Sequence, residues 1–396
     1  MRELNFALIS SQVITPLQVI RDGVVLVDGG KISSVGRQSN IAVPEDYRKI
    51  DLGNLIIAPG FIDIHNHGGM GMSVSLDGEK ALMAVCPRLV ETGCTGWLPT
   101  VNTMQSLPVI VEWIKKAPGG TEVLGIHMEG PFLAPKDIKG IPGLDAGLVV
   151  PSLEQFREFV KAAQGYLKIM GISIELEMAD EIIMEMRRLG IVPAVAHTKA
   201  SYEQFMRSVE LGIRHVTHTY NVMTGLHHRN PGVVGGALTC DQVTGELIAD
   251  GVHVSPVAMD VLVRCKGTDK ICVITDNTAV AGLPDGEFEL GGRKLVKKDG
   301  VTRFANSTAD MDHTMAGSEW PINRGVRNLV MDVGVSLADA IKMASLNPAR
   351  VIGMEKTKGS LELGKDADII VIDDDINVHL TFVKGRVEFD RGGFDL

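Results

Sequence analysis

The rhythm of apolar and polar positions changes twice along the chain. In residues 1 to about 54, short apolar runs (Phe6 to Ile9, Gly23 to Val27, Lys31 to Val35) are punctuated by turn signals such as Asp28-Gly29-Gly30, which predicts strands and hairpins. The far end reads the same way. Ala367 to Ile372, Leu380 to Val383 and Arg386 to Phe389 are strands interrupted by Asp373-Asp374-Asp375 and Lys384-Gly385. Between these ends, apolar runs alternate with helical spacing. Leu55 to Ala58 continues through Phe61 to Ile64 as one buried strand. Further strands are predicted at Gly96 to Pro99, Val123 to Ile126, Leu167 to Ile172, Val192 to Ala196, Val216 to Thr217, Leu247 to Ala249 and Cys272 to Thr275. The helical segments are Lys80 to Val90, Leu153 to Ala163, Ala179 to Arg188, Tyr202 to Leu211, and Pro256 to Arg264 behind a Ser255 N-cap. Repeated strand–helix alternation predicts an α/β chain with a (β/α)8 TIM-like barrel over residues 55–354. Residues 1–54 and 355–396 together predict a small β-sandwich domain built from both termini. After the eighth strand, Gly292 to Phe304 reads as a hairpin-like insertion, and helical spacing resumes at Asn323 to Val333 and Leu337 to Ala344.

Composition narrows the function classes. The chain has 396 residues, of which 45% are hydrophobic and 22% charged, and a formal charge of −10. That balance, without a Lys/Arg cluster, argues against a nucleic-acid surface. Five scattered cysteines (Cys86, Cys94, Cys240, Cys265, Cys272) without Cys-x-x-Cys spacing point to reduced thiols and a cytoplasmic protein. The acidic start at Glu3 shows no signal-peptide pattern, and no run approaches the roughly 18 apolar residues of a membrane span. The glycine fingerprint of a dinucleotide site is absent.

Chemistry enters at the strand ends. In a parallel barrel the catalytic groups stand where the strands finish. The first predicted strand ends in His65-Asn66-His67, whose two histidines share a face of an extended chain. The third ends in His127-Met128-Glu129-Gly130-Pro131, the fifth in His197, the sixth in His218. The seventh runs into His253 and the eighth stops at Asp276. Six of eleven histidines thus fall at predicted strand ends, together with carboxylates, a donor set suited to Zn²⁺ or a similar divalent ion. Asp276 is the candidate general base. His215 lies three residues before His218 and faces the other side, so it reads as structural. His127 reads as a packing or supporting residue, and His379 as a surface one. His313 has no supporting context.

These residues resemble a known family. Pro59-Gly60-Phe61-Ile62-Asp63-Ile64-His65-Asn66-His67-Gly68 resembles the opening metal motif of the amidohydrolase superfamily. Gly125-Ile126-His127-Met128-Glu129-Gly130-Pro131-Phe132 is similar to the narrower group of N-acetylglucosamine-6-phosphate deacetylases. So are Thr217-His218-Thr219-Tyr220-Asn221-Val222-Met223, His227-His228-Arg229-Asn230-Pro231-Gly232, Ala249-Asp250-Gly251-Val252-His253 and Thr275-Asp276. The resemblance implies a metal-dependent barrel with Glu129, His197 and His218 around the principal ion, and His65 and His67 offering a second site. One or two divalent ions per chain are implied, with Zn first and Fe, Mn, Co or Ni as alternatives. It further implies Asp276 as acid/base and His253 as the residue that polarises the amide carbonyl. Asn221, His228 and Arg229 would bind the phosphate of a small sugar phosphate, with the arginine supplied across the interface of a homodimer or higher homo-oligomer.

Three stretches depart from that pattern. Gly140-Ile141-Pro142-Gly143 lacks a polar contact that many relatives carry. Met315-Ala316-Gly317-Ser318-Glu319-Trp320 brings in an acid and an indole, and Ala196-His197-Thr198-Lys199 changes the neighbours of one ligand. The hydrolytic machinery is left whole, while the identity of the sugar is opened. The expected reaction is deacetylation of an N-acetylhexosamine 6-phosphate, N-acetyl-D-glucosamine 6-phosphate foremost. The alternatives are the same chemistry on a different N-acetyl sugar, an N-acyl amino acid or a cyclic amide, and, from another class, a barrel kept as a structural or regulatory partner.

Overall fold

The computed structural model describes residues 5–134, 150–305 and 315–394. Gly140-Ile141-Pro142-Gly143 and His313 lie outside the described residues. Among the described residues, eight parallel strands follow one another around a barrel: β1 (Phe61–Asn66), β2 (Cys94–Val101), β3 (Ile126–Glu129), β4 (Leu167–Ile172), β5 (Val192–Val195), β6 (His215–Val216), β7 (Thr244–Ile248) and β8 (Ile271–Ile274). Each is hydrogen-bonded to the next. Where β8 meets β1 the joint is polar. Asp276 N donates to His65 O and His67 N to Asn277 O, both at 2.8 Å. Beneath them, Thr275 Oγ1 donates to Asp63 Oδ2 at 2.6 Å.

Two apolar layers hold the strands. Ile62, Ile169, Ala194, Ile248 and Ile274 pack together although their strands stand on opposite sides of the barrel. Such contacts run only through the interior, so these side chains plug it below the polar strand ends. Ala349 and Ile352, from and just after the helix Leu346–Val351, join that plug. A larger cluster joins the outer strand faces to the helices, including Ile182, Ile183, Phe205, Val209, Met259 and Leu262. The helices begin where the sequence supplies caps. Ser201 and Gln204 form a reciprocal capping box for Tyr202–Leu211, and Ser255 caps Pro256–Lys266 with proline at a tolerated first-turn position.

The termini build one mixed sheet, eight strands among the described residues. Its order is Arg386–Asp390, Val378–Val383, Ile369–Ile372, Ile56–Pro59, Phe6–Ile14, Val19–Asp28, Lys31–Arg37, with Arg48–Asp51 also paired to Phe6–Ile14. Phe6 and Phe382 lie three strands apart, yet their rings stack at 5.1 Å. The sandwich is therefore a single sheet folded over on its own apolar face. A buried ammonium ties it to the barrel: Lys358 Nζ meets Glu122 Oε2 at 2.7 Å, Asp366 Oδ2 at 2.9 Å and Asp368 Oδ2 at 2.7 Å. Within the described residues, no helix is long and apolar enough to cross a membrane.

The apolar run read as one strand is two. Ile56–Pro59 belongs to the terminal sheet and Phe61–Asn66 to the barrel, with Gly60 as the step between them. A Cβ on Gly60 would sit 2.3 Å from both Oγ1 and Cγ2 of the buried Thr95. Gly60→Ala is expected to cost about 1–3 kcal/mol by overpacking, read as a lower urea midpoint. An unchanged midpoint would show that the step can open without penalty. The predicted hairpin is also larger than expected. Gly286–Leu290, Arg293–Lys298 and Val301–Phe304 form a three-stranded antiparallel sheet among the described residues.

Candidate metal centre

β3 delivers Glu129 to the barrel mouth, and the turns after β5 and β6 bring His197 and His218 to the same oxygen. Glu129 Oε1 lies 2.7 Å from His197 Nε2 and 2.9 Å from His218 Nε2. The two imidazole nitrogens are 3.1 Å apart. His218 Nδ1–H donates to Asn221 O at 3.1 Å, so its Nε2 turns a lone pair inward. Three donors crowded onto one point fit a single cation better than they fit one another.

β1 supplies a second set on the other side of the same carboxylate. His67 Nε2 is 3.2 Å from Glu129 Oε2 and 3.3 Å from Asp276 Oδ1. His65 Nε2 is 3.7 Å from Glu129 Oε1 and 3.5 Å from Asp276 Oδ1, without a hydrogen-bond partner although fully buried. Ligand atoms of His65, His67 and Glu129, like those of Glu129, His197 and His218, lie within 4.8 Å of one another. Either set could hold a divalent ion, with Glu129 able to bridge both.

The local field favours positive charge. Burial alone would push the imidazoles toward neutrality, but Asp276 and Glu129 hold His67 up to about 9. Glu246, Asp276 and Glu129 likewise hold His65 well above its ordinary value. Burial would raise the carboxylates. Instead His197 and His65 keep Glu129 well below the usual range, and His65 and His67 bring Asp276 down to about 2. Asp276 is pinned on both sides of its peptide, its N–H on His65 O and its carbonyl accepting from Ser318 N at 2.9 Å. Three of these groups sit on a backbone that non-glycine residues avoid: φ is +43° at His197, +29° at His218 and +51° at Asp276. Strain of this kind persists where the surroundings over-determine it.

His253 stands over the same mouth. Its Nδ1–H donates to Asp250 Oδ2 at 2.6 Å. Against burial, that bond and the charges of Asp250 and Asp276 raise its basicity. Asn221 follows β6 in the turn that orients His218. His228 and Arg229, by contrast, are exposed. Arg229 Nη1–H donates to His228 Nε2 at 2.7 Å, and none of their hydrogen bonds reaches the carboxylate cluster.

Several supporting residues lay hidden in the sequence. Glu246, in the middle of β7, is fully buried and bonds His65, His215 and the His218 backbone. An acid inside the apolar run Thr244–Ile248 was the available signal. Asp63 is raised to about 6 by burial, with Thr275 and Asn66 pulling it back, and joins β1 to the end of β8. Glu175 bonds Thr198 Oγ1 and accepts from Lys199 N at 2.6 Å, while Ser173 Oγ donates to His197 O at 2.6 Å. His127 donates Nδ1–H to Ile64 O at 2.9 Å, and burial with the nearby His65 lowers it to about 3. The acid of the unusual Ser318-Glu319-Trp320 stretch makes a buried pair: Glu319 Oε2 lies 2.6 Å from Lys297 Nζ, and Thr302 bonds its other oxygen.

Comparisons with known proteins agree in one direction. A profile described as the Amidohydrolase family matches residues 56–388. The chain is 34% identical over 394 residues, 95% of each chain, to the N-acetylglucosamine-6-phosphate deacetylase of Bacillus subtilis (strain 168). It is also 34% identical over 340 residues, 84% of this chain and 87% of the other, to the N-acetylgalactosamine-6-phosphate deacetylase of Escherichia coli O157:H7. Among solved structures, a variant of the Mycobacterium smegmatis N-acetyl-D-glucosamine-6-phosphate deacetylase in complex with N-acetyl-D-glucosamine-6-phosphate superposes with a TM-score of 0.88 at 26% identity. That match covers 97% of this chain and 99% of the other.

Proposed function

The chain belongs to the amidohydrolase family, and from that premise we propose that it hydrolyses the acetamide of an N-acetylhexosamine 6-phosphate, N-acetyl-D-glucosamine 6-phosphate first, to acetate and the amino sugar phosphate. One observation carries this reading. Glu129, His197 and His218 converge on one point beside Asp276, in a chain that matches a deacetylase of that substrate over nearly its whole length. The deciding experiment is acetate release from a panel of N-acetyl sugars of both epimers, with and without the 6-phosphate, plus N-acyl amino acids and cyclic amides. Turnover confined to the last two would overturn the substrate class. The galactosamine relative is the reason to include both epimers.

Glu129, His197 and His218 would hold the principal divalent ion, Zn²⁺ foremost with Fe, Mn, Co or Ni as alternatives, and His65 with His67 a second. Such an ion supplies Lewis acidity, acidifying water and polarising the amide carbonyl. Asp276 takes a proton from the attacking water and passes it to the departing nitrogen, which must leave as a neutral amine. Against burial, His65 and His67 keep Asp276 in the carboxylate form that a base requires. His253, its Nδ1–H fixed by Asp250, presents Nε2–H to the developing oxyanion. The free thiols, four buried and one exposed, support a reducing, cytoplasmic setting.

Asn221, His228 and Arg229 are assigned to the phosphate. The exposure of His228 and Arg229 supports delivery to a neighbouring subunit's site, in a homodimer or higher homo-oligomer. A forked guanidinium matches two phosphate oxygens. Arg229→Ala is expected to raise KM for the phosphorylated sugar at least about tenfold, the loss of one charge-assisted contact, and to leave the unphosphorylated sugar nearly unaffected. Equal effects on both substrates would remove Arg229 from phosphate binding. Mixing Arg229→Ala with Asp276→Asn chains tests the shared site. Hybrid dimers regain one complete site, and absent recovery after verified subunit exchange would place Arg229 elsewhere.

A further inference from the structure

Beneath the barrel mouth, Glu246 sits in the middle of β7 with no exposed surface. Its Oε2 accepts from His65 Nδ1–H at 2.8 Å and from the His218 backbone N–H at 3.0 Å. Its Oε1 accepts from His215 Nε2–H at 3.0 Å, and His215 Nδ1 lies 2.7 Å from Thr244 Oγ1. A carboxylate taken fully out of water is costly unless its charge is used. Three hydrogen bonds alone do not require that charge, because an amide of the same shape would satisfy them. A glutamine oxygen could accept from His65 and His218. Its NH2 could donate to His215 Nε2, the imidazole moving its proton to Nδ1 and donating to Thr244.

What only the charge provides is felt at His65. With Nδ1–H committed to Glu246, Nε2 is the nitrogen turned into the mouth, toward Asp276 Oδ1 at 3.5 Å and Glu129 Oε1 at 3.7 Å, and it is the one left to donate when a cation displaces its proton. That buried nitrogen has no hydrogen-bond partner. A carboxylate behind an imidazole fixes its tautomer and strengthens it as a metal donor. His218, although bonded to the same Glu246 oxygen, is reached through its backbone, and its ring is oriented by Asn221 O instead. The two donor sets therefore differ in what stands behind them.

We propose that Glu246 is the positioning residue that makes His65 a metal ligand, and that it thereby sets the affinity of the ion shared by His65, His67 and Glu129, with little effect on the ion held by Glu129, His197 and His218. The proposal rests on the metal-dependent reading above. Its test reads ion binding and not turnover, so the two can fail separately. Metal-free wild-type and Glu246→Gln chains are titrated with Zn²⁺ in competition with a chromophoric chelator, and their urea midpoints are compared without metal. Wild type should take up two equivalents. Glu246→Gln should bind the second about 10–100-fold more weakly, the first within about threefold, at an unchanged midpoint. An unchanged second affinity overturns the proposal, as does saturation of wild type at one equivalent. Parallel loss of both ions with a lowered midpoint would also overturn it, marking Glu246 as a tie between strands. If Glu246→Gln does not fold, the wild-type chain decides. Loaded with ¹¹³Cd and ¹⁵N-histidine, it should show coupling from the ion to His65 Nε2 with the proton retained on Nδ1. Coupling through Nδ1, or none, would refute the assignment.

Discussion

Asp276→Asn is expected to lower kcat by at least about 10²-fold, the lower end of general acid–base contributions, or about 2.7 kcal/mol of barrier, while metal content stays near wild type. Asparagine has the same shape. It keeps the backbone bonds that pin position 276, the N–H on His65 O and the carbonyl under Ser318 N. It also keeps an oxygen toward His65 and His67, where Asp276 Oδ1 lies 3.5 and 3.3 Å from their Nε2 atoms. What it loses is the capacity to accept a proton and return it. Glu129, His197 and His218 do not contact residue 276 through any hydrogen bond above, so the principal ion should remain. Steady-state kinetics at saturating substrate and metal analysis of the same preparation give both numbers. Full activity would remove Asp276 from the proton path. Metal lost in step with activity would make it a ligand first and a base second.

The barrel could be read from sequence because its strands are apolar and its helices capped. Leu167–Ile172, Ala179–Arg188 and Tyr202–Leu211 fall where the spacing puts them. Legibility failed where a strand carries chemistry. Val123 to Ile126 was the apolar stretch, but the chain breaks at Gly125, whose φ is +156°. The third barrel strand is Ile126–Glu129, half of it polar. A glycine-rich helix was equally opaque. Gly232–Thr239 holds three glycines, and a Cβ on Gly236 would lie 2.3 Å from Phe205 Cδ1. Tertiary packing decides there, against intrinsic propensity. Single apolar rhythms also hid the step at Gly60, since both sides of it are buried.

The site was legible in its outer residues and not in their supports. Histidines at strand ends announce themselves. Glu246, Asp63 and Ser173 each appear as one polar residue in an apolar run, and only the folded chain shows what they hold. Glu319 is a different case. In sequence it looks like a change in the substrate pocket, but it pairs with buried Lys297 and Thr302 in the inserted sheet. Its charge also reaches His253 and helps raise that imidazole, so Glu319 acts on the site as well as on the inserted sheet.

The second large effect is expected at His197. His197→Ala should retain less than about a tenth of the wild-type ion after gel filtration and lose activity at least about 10²-fold, since an ion held there would supply the Lewis acidity for both water and carbonyl. Metal loss alone does not separate a ligand from a residue the fold needs. The backbone offers that separation. At φ +43° a side chain with a Cβ is strained by roughly 1–2 kcal/mol, and glycine is not. A structural requirement for histidine would make both His197→Ala and His197→Gly unstable. A ligand held in a strained conformation predicts otherwise. His197→Gly should then unfold at a higher urea concentration than His197→Ala, by about 1 kcal/mol, with both equally unable to hold the ion. The carbonyl of residue 197 would still accept from Ser173 Oγ in both variants, so the turn keeps its anchor. Stoichiometric metal in either variant would end the assignment of His197 to the principal site. Equal stability of the two would show that the turn after β5 relaxes, and that the positive φ stores nothing for the ligand to use.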